Sequence, residues 1–291
     1  MTNLMKMLKI PSSTRLHLCC VSENTPIYND SLLLSVVAAH FQSPAPIEFK
    51  SLSATISSLG RLLEVTASTT LPGRSCQFKS FKSNVDGNAE LVLMFNGLPE
   101  PSYLTDSLGR VCKMLPISDL EFLSISAFSR DDSANWVELF KRCMKLTTIR
   151  AGGRGTSSLV RALTTPKFTN MNFDGKGKKR RRDDRDSTPA GSTVVTAEAP
   201  IWPKLSSLLL KRLDFAENEH PSGNLFKIVE RGLQQRMAAS KVPLAMLRID
   251  NCVIGASRAD ALQKLVEEFH WDGKEDDSDS DPERILDWIW K

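Results

Sequence analysis

The sequence predicts an α/β fold, a solenoid of leucine-rich strand, loop and helix units whose strands stack into a curved parallel sheet with helices outside. Three observations predict it. Leucine occurs 36 times in 291 residues, and several leucines recur at fixed offsets. Each cluster of offsets is paired with a helix-like stretch, as parallel pairing requires a crossover of about a dozen residues or more. The composition, 41% hydrophobic, 7% aromatic and 25% charged, supports a sizeable core. It excludes wholesale disorder, a collagen-like fibre and a disulfide mini-scaffold.

The elements follow in chain order. Residues 1–13, MTNLMKMLKIPSS, interrupt their apolar side chains with Lys6 and Lys9, so no secretion signal is expected. RLHLCCV (15–21), DSLLLSVVAAHF (30–41), RLLEVTA (61–67) and ELVLMF (90–95) alternate strand-like and helix-like texture. Residues 1–115 therefore read as irregular N-terminal repeats of the arc. The longest apolar run, 32–41, is broken by Ser35 and His40 and is about half a membrane span, so no membrane association is expected. Leu98, Pro99, Glu100 and Pro101 read as a turn.

From residue 116 the repeats sharpen. Leu244, Leu247, Ile249, Cys252 and Ile254 match L-x-x-L-x-L-x-x-N/C-x-L with aliphatic interchange. Leu205, Leu208, Leu210, Leu213 and Phe215 repeat the offsets, with Leu213 in the Asn/Cys slot. Leu120, Leu123, Ile125 and Phe128 form a third copy; Leu146, Ile149 and Ala151 form a fourth. Helices are expected at 135–144, 157–163, 223–237 and 258–269. Copies start 26, 59 and 39 residues apart, counted from Leu120, Leu146, Leu205 and Leu244, and an insertion accounts for the long gap. The fold read from these copies is an irregular leucine-rich-repeat solenoid, with repeats at 116–173 and 201–272.

Two segments break this texture. Residues 174–200 read as a disordered basic insertion, with seven basic side chains between Lys176 and Arg185. Residues 273–291 read as an acidic loop and a capping helix that carries Trp288 and Trp290. Its stretch EDDSDSDPE, 275–283, holds six carboxylates. Net charge is only +4, from 38 Lys and Arg against 34 Asp and Glu, so charge acts locally.

Stacking the copies predicts a functional surface. The side chains between the buried aliphatics face the concave side: Phe122, Ser124 and Ser126; Thr148 and Arg150; Ser207, Leu209 and Lys211; Met246, Arg248 and Asp250. Arg150, Lys211 and Arg248 give it a basic bias. The expected partner-binding residues are Phe122, Arg150, Leu209, Lys211, Met246 and Arg248, because binding energy concentrates on a few anchors.

WVELFKRCMKLTTIRAGGRGTSSLVRALT, WPKLSSLLLKRLDF and PLAMLRIDNCVIGASRADALQKLVEEFHWDG resemble the fungal, mushroom-type F-box-like leucine-rich-repeat proteins over residues 120–273, about half the chain. The resemblance rests on the strand pattern, the junction of strand and Gly loop, and Trp202 with Pro203 before a strand. It implies an arc that selects a substrate for an SCF-type ubiquitin ligase while an F-box docks a Skp-type adaptor and its cullin. The chain departs from that family in its first 45 residues, which lack the Leu-Pro-x-Glu opening of an F-box.

GGRGTSS, 152–158, has amides suited to cradling a phosphate, but it lacks G-x-x-x-x-G-K-[ST], and Ser158 stands in place of a third glycine. It reads instead as a repeat loop in which Thr156 or Ser157 caps a helix. Lys178, Lys179, Arg180, Arg181 and Arg182 form a nuclear-import candidate. The alternative function class is a nuclear nucleic-acid-associated protein acting through residues 176–185, although no aromatic residue interleaves with the cluster. Ser278 and Ser280 have carboxylates three residues on, a kinase-like context. His17, His40, His220 and His270 form no metal or acid–base pattern. Six cysteines lack a C-x-x-C, and adjacent Cys19 and Cys20 do not bridge without strain, which points to a reducing compartment. Trp136, Trp202 and Trp271 read as packing residues. The expectation is a non-enzymatic protein-interaction module of the cytoplasm, the nucleus or both, with no catalytic residue, cofactor or metal assigned. Its protein partner is not identified by the sequence.

Overall fold

A computed structural model describes residues 15–21, 31–41, 47–57, 62–72, 89–96, 101–127, 136–162, 201–215 and 224–273. These residues form nine strands: β1 (Leu16–Val21), β2 (Ser51–Ser57), β3 (Leu62–Ser68), β4 (Leu91–Asn96), β5 (Phe122–Ala127), β6 (Thr148–Gly152), β7 (Ser207–Lys211), β8 (Leu244–Asp250) and β9 (Val266–Trp271). Between them lie helices α1 (Ser31–Phe41), α2 (Pro101–Met114), α3 (Trp136–Phe140), α4 (Ser157–Ala162), α5 (Leu225–Ser240) and α6 (Ala256–Gln263). The strands make one open, mostly parallel sheet in the order β1-β4-β3-β2-β5-β6-β7-β8-β9.

One row of side chains crosses all nine strands: Leu18, Leu93, Val65, Ala54, Ile125, Ala151, Leu210, Ile249 and Trp271. A second row runs Leu52, Leu123, Ile149, Leu208, Leu247 and Phe269. These rows contain the two central aliphatics of each predicted copy: Leu123 and Ile125, Ile149 and Ala151, Leu208 and Leu210, Leu247 and Ile249. They share a continuous core with Leu108, Val111, Phe140, Leu159, Leu225, Val229 and Leu262. The helices touch in sequence, α1 on α2 through to α5 on α6. Burying one aliphatic side chain in such a core contributes roughly 1.5–3 kcal/mol.

Strands β5 to β7 are entered, and strands β6 to β9 are left, in a recurring way. The Lys50 carbonyl accepts the amides of Glu121 and Phe122, the Glu121 carbonyl those of Thr147 and Thr148, and the Thr147 carbonyl those of Ser206 and Ser207. The Thr147 and Ser206 hydroxyls reinforce this, donating to the Glu121 and Thr147 carbonyls at 3.0 and 3.1 Å. At the other end Gly153, Arg212, Asn251 and Gly273 occupy equivalent register positions, and all have positive φ, at 84°, 54°, 50° and 73°. The left-handed turn lets Gly153 and Arg212 donate their amides to the Lys211 and Asp250 carbonyls. In the last of these steps the Asp272 carboxylate takes the Asn251 amide at 2.6 Å.

Several expectations are corrected. Strand β3 is antiparallel to both β2 and β4, so parallel pairing does not run through the N-terminal part. The reason is connection length: β2 and β3 are four residues apart, too short for a parallel crossover. The β2 segment, SLSATIS, was not anticipated; its inward Leu52, Ala54 and Ile56 alternate with small polar residues. Pro101, read as part of a turn, opens α2, where a missing amide costs nothing and φ is preset. The helix expected at 135–144 is shorter, Trp136–Phe140. That expected at 258–269 ends at Gln263, and Val266–Trp271 pairs with β8 instead.

Candidate functional site

The face opposite the core carries the six expected partner-binding residues in register. One row runs Ser51, Phe122, Thr148, Ser207, Met246 and Glu268. The next runs Ser53, Ser124, Arg150, Leu209, Arg248 and His270, and the third runs Thr55, Ser126, Gly152, Lys211 and Asp250. Phe122 and Leu209 are buried yet stand outside the helix-side core, as residues of the other face should.

Exposure divides the six. Phe122, Arg150 and Leu209 are only 5%, 4% and 5% exposed, which corrects their assignment as an open contact surface. They sit in the middle of the sheet, where paired strands on both sides crowd the side chains, and every residue of β5 and β6 is buried. Lys211, Met246 and Arg248 are half-buried and reach solvent. Of the six, the accessible residues therefore lie on β7 and β8.

Cations dominate this part. Burial, followed by the neighbouring Arg212, Arg150 and Arg248 charges, holds the Lys211 ammonium below its ordinary range, while Asp250 works in the opposite direction. Burial likewise pushes Arg150 down to about 10, with Asp250 opposing and Arg248 adding to the effect. The Arg248 Nε donates to both Asp250 carboxylate oxygens, at 2.9 and 2.8 Å, an i,i+2 pair on one side of a strand. On β9, His270 and Glu268 repeat the arrangement at 2.6 Å. Arg212, Glu268 and His270 were not anticipated here. Arg212 joins through its left-handed turn, which no local sequence signal marks; Glu268 was read as part of a helix, and His270, just beyond that helix, was assigned no role.

The remaining motifs resolve differently. In GGRGTSS the Gly153 amide is committed to the Lys211 carbonyl, and the Thr156 hydroxyl donates to the Gly153 carbonyl at 2.8 Å. Thr156 therefore braces the loop instead of accepting from the helix amides. Ser158 accepts the Trp136 indole N–H at 2.8 Å. Trp136 and Trp202 are core residues, and Trp202 donates to the Phe140 carbonyl at 3.0 Å. Burial pushes the Cys112, Cys143 and Cys252 thiols up to about 12, so they stay protonated at neutral pH. Among the described residues no group of His, Cys, Asp or Glu is placed to hold a metal ion, and no helix is long and apolar enough to cross a membrane. Lys178, Lys179, Arg180, Arg181, Arg182, His220, Ser278, Ser280, Trp288 and Trp290 lie outside the described residues.

In comparisons with known proteins, no family model, no curated protein and no solved structure matches the chain.

Proposed function

We propose that the chain is a non-enzymatic protein-interaction module, an irregular leucine-rich-repeat arc that captures a protein partner on the strand face opposite its helices. The observation that carries this reading is the register, which gathers Lys211, Met246 and Arg248 from two strands into one accessible patch beside Leu209. Mixed cationic and apolar character of this kind suits a protein contact, in which a few anchors supply most of the energy. The repeat reading draws support from the coincidence of offset leucines with sheet rows and from the recurring left-handed exit turn.

The test is recovery of tagged chain from native cells at moderate salt, beside a Lys211→Glu, Met246→Asp, Arg248→Glu triple variant. Arg150 is left unchanged because burying a carboxylate there would unfold the sheet. Proteins held by the native chain and lost by a folded triple variant would support the assignment. Equal retention would remove the face from the reading. A Skp-type adaptor and a cullin in the native sample would extend it to a ubiquitin ligase.

A further inference from the structure

We propose that the strand-entry rim of the sheet, centred on Met144, Lys204, Lys241 and Val242, rests against the surface of an anionic lipid bilayer. This rim lies at the end of the sheet remote from Lys211 and Asp250, and it stands apart from the interaction reading above. Of the four exposed large apolar side chains among the described residues, Met144, Met237 and Val242 belong to it, at 50%, 39% and 58% exposure. Met144, Pro203 and Val242 hold equivalent places, each two residues before a buried leucine (Leu146, Leu205, Leu244) at the entry to β6, β7 and β8. Neighbouring strands lie about 4.8 Å apart, so the three turns form one row. Hydrogen bonds tie the row together: the Trp202 indole donates to the Phe140 carbonyl at 3.0 Å, the Arg236 guanidinium to the Pro203 carbonyl at 3.2 Å, and the Lys241 amide to the Met237 carbonyl at 2.9 Å.

Each turn sets a lysine beside its apolar residue: Lys145, Lys204 and Lys241. On the β6 side the charge is offset, since Lys145 pairs with Asp119 at 2.7 Å and has Glu48 and Glu121 near it, and Lys141 pairs with Glu138. Toward β9, Lys264 stands between Asp260 and Glu267 in the sequence. The surplus lies at β7 and β8, where residues 201–213 and 231–249 contain no acid and none of the ion pairs among the described residues engages Lys204 or Lys241. Side-chain chemistry selects lipid as the occupant. Protein contacts deplete lysine in favour of arginine and aromatic groups, and no aromatic side chain is exposed on these turns, Trp202 being buried. A nucleic acid would meet the lysines with phosphate and leave Met144 and Val242 in water. A second copy would bring the same cations together. A bilayer uses both kinds of group: lysines reach the phosphate headgroups while the apolar tips enter the acyl boundary. Such a contact lies on the membrane and needs no spanning helix.

The test is sedimentation of the full chain with vesicles of three parts phosphatidylcholine to one part phosphatidylserine, beside vesicles of phosphatidylcholine alone. The chain should sediment with the first and stay in solution with the second. Lys204→Gln with Lys241→Gln should weaken binding about twenty-five-fold, roughly fivefold for each lysine. Met144→Ser with Val242→Ser should weaken it about fivefold or more, by removing the tips that enter the acyl boundary. Lys211→Gln with Lys227→Gln, at the opposite end of the sheet, should change nothing. Thermal melting equal to that of the native chain confirms that each variant is folded. No binding to the mixed vesicles, equal binding to both kinds, or full binding by either rim variant would overturn the proposal. So would binding that appears only after residues 275–283 are deleted, which would make the chain's own acidic stretch the occupant. A protein from native cells that the rim variants lose, with no vesicle binding by the native chain, would make the rim a protein contact and overturn it as well.

Discussion

The Cys252 sulfur accepts the Leu213 amide N–H at 3.4 Å, and Leu213 stands after β7 where Cys252 stands after β8. The same sulfur lies 3.7 Å from the Leu210 carbonyl and 3.5 Å from that of Asp250, so one buried thiol stitches two exit turns together. Leucine at 213 has no polar atom to pass the link on. Cys252→Ala should cost about 1–3 kcal/mol, from lost packing and an orphaned Leu213 amide. Urea unfolding measures it; a midpoint unchanged from the native chain would show that the sulfur contacts contribute nothing.

Legibility in the sequence followed burial. Rows such as Leu123, Ile149, Leu208 and Leu247 were readable because a buried face tolerates little besides aliphatics, and the offsets then set the register. The residues of the opposite face followed by alternation. What alternation does not reveal is depth, and so Phe122, Arg150 and Leu209 were placed correctly and their exposure was not. Strand β2 was hidden by its serines, although its outward positions only require small or polar groups. The stretch ALQKLVEEFHW suits a helix locally, and pairing with β8 overrides that preference from Val266 onward.

Arg236 ties α5 to the approach of β7. Its guanidinium donates to the carbonyls of Trp202 at 3.0 Å and Pro203 at 3.2 Å, and also to that of Leu205. Burial lowers its pKa from the ordinary arginine value, yet three backbone acceptors keep the fork in place. Arg236→Met should cost about 1.5–3 kcal/mol, and Arg236→Lys should recover little, since a single ammonium does not reproduce the fork. Denaturant titration of both variants decides it; full stability of the lysine form would refute the fork argument.

Two glutamates on neighbouring parts of the sheet should respond to acid in opposite senses. For Glu90 burial raises the pKa, but Thr69, donating its amide at 2.9 Å and its hydroxyl at 2.7 Å, leads a set of hydrogen bonds that outweighs it, and the net value falls below 4.5. A depressed folded pKa gives stability that is present above the unfolded value and is lost as pH falls through the folded one. Glu64 is raised above 4.5 by burial, with His17 partly opposing, so its ionisation weakens the fold as pH rises. Glu90→Gln should therefore lower Tm at pH 7 and lessen the loss on acidification, whereas Glu64→Gln should raise Tm at pH 7. Melting curves from pH 3 to pH 7 test both signs.

Gly273 isolates the cost of the left-handed exit turn. Its φ is 73°, and a Cβ built there meets nothing within 4 Å, so a side chain would feel the backbone alone. L-residues cost roughly 1–2 kcal/mol in this conformation, and Gly273→Ala should lose about that much. Asn251, at the equivalent position with φ 50°, is of a type that tolerates the region and hands its amide to Asp272. Asn251→Gly should then be nearly neutral, while Asn251→Val, with its branched Cβ, should lose more than Gly273→Ala does. Thermal unfolding ranks the three. If valine at 251 matched glycine, the turn would not be imposed by the stacking of β8 on β7 and β9, and the recurring exit would be a local accident of each loop.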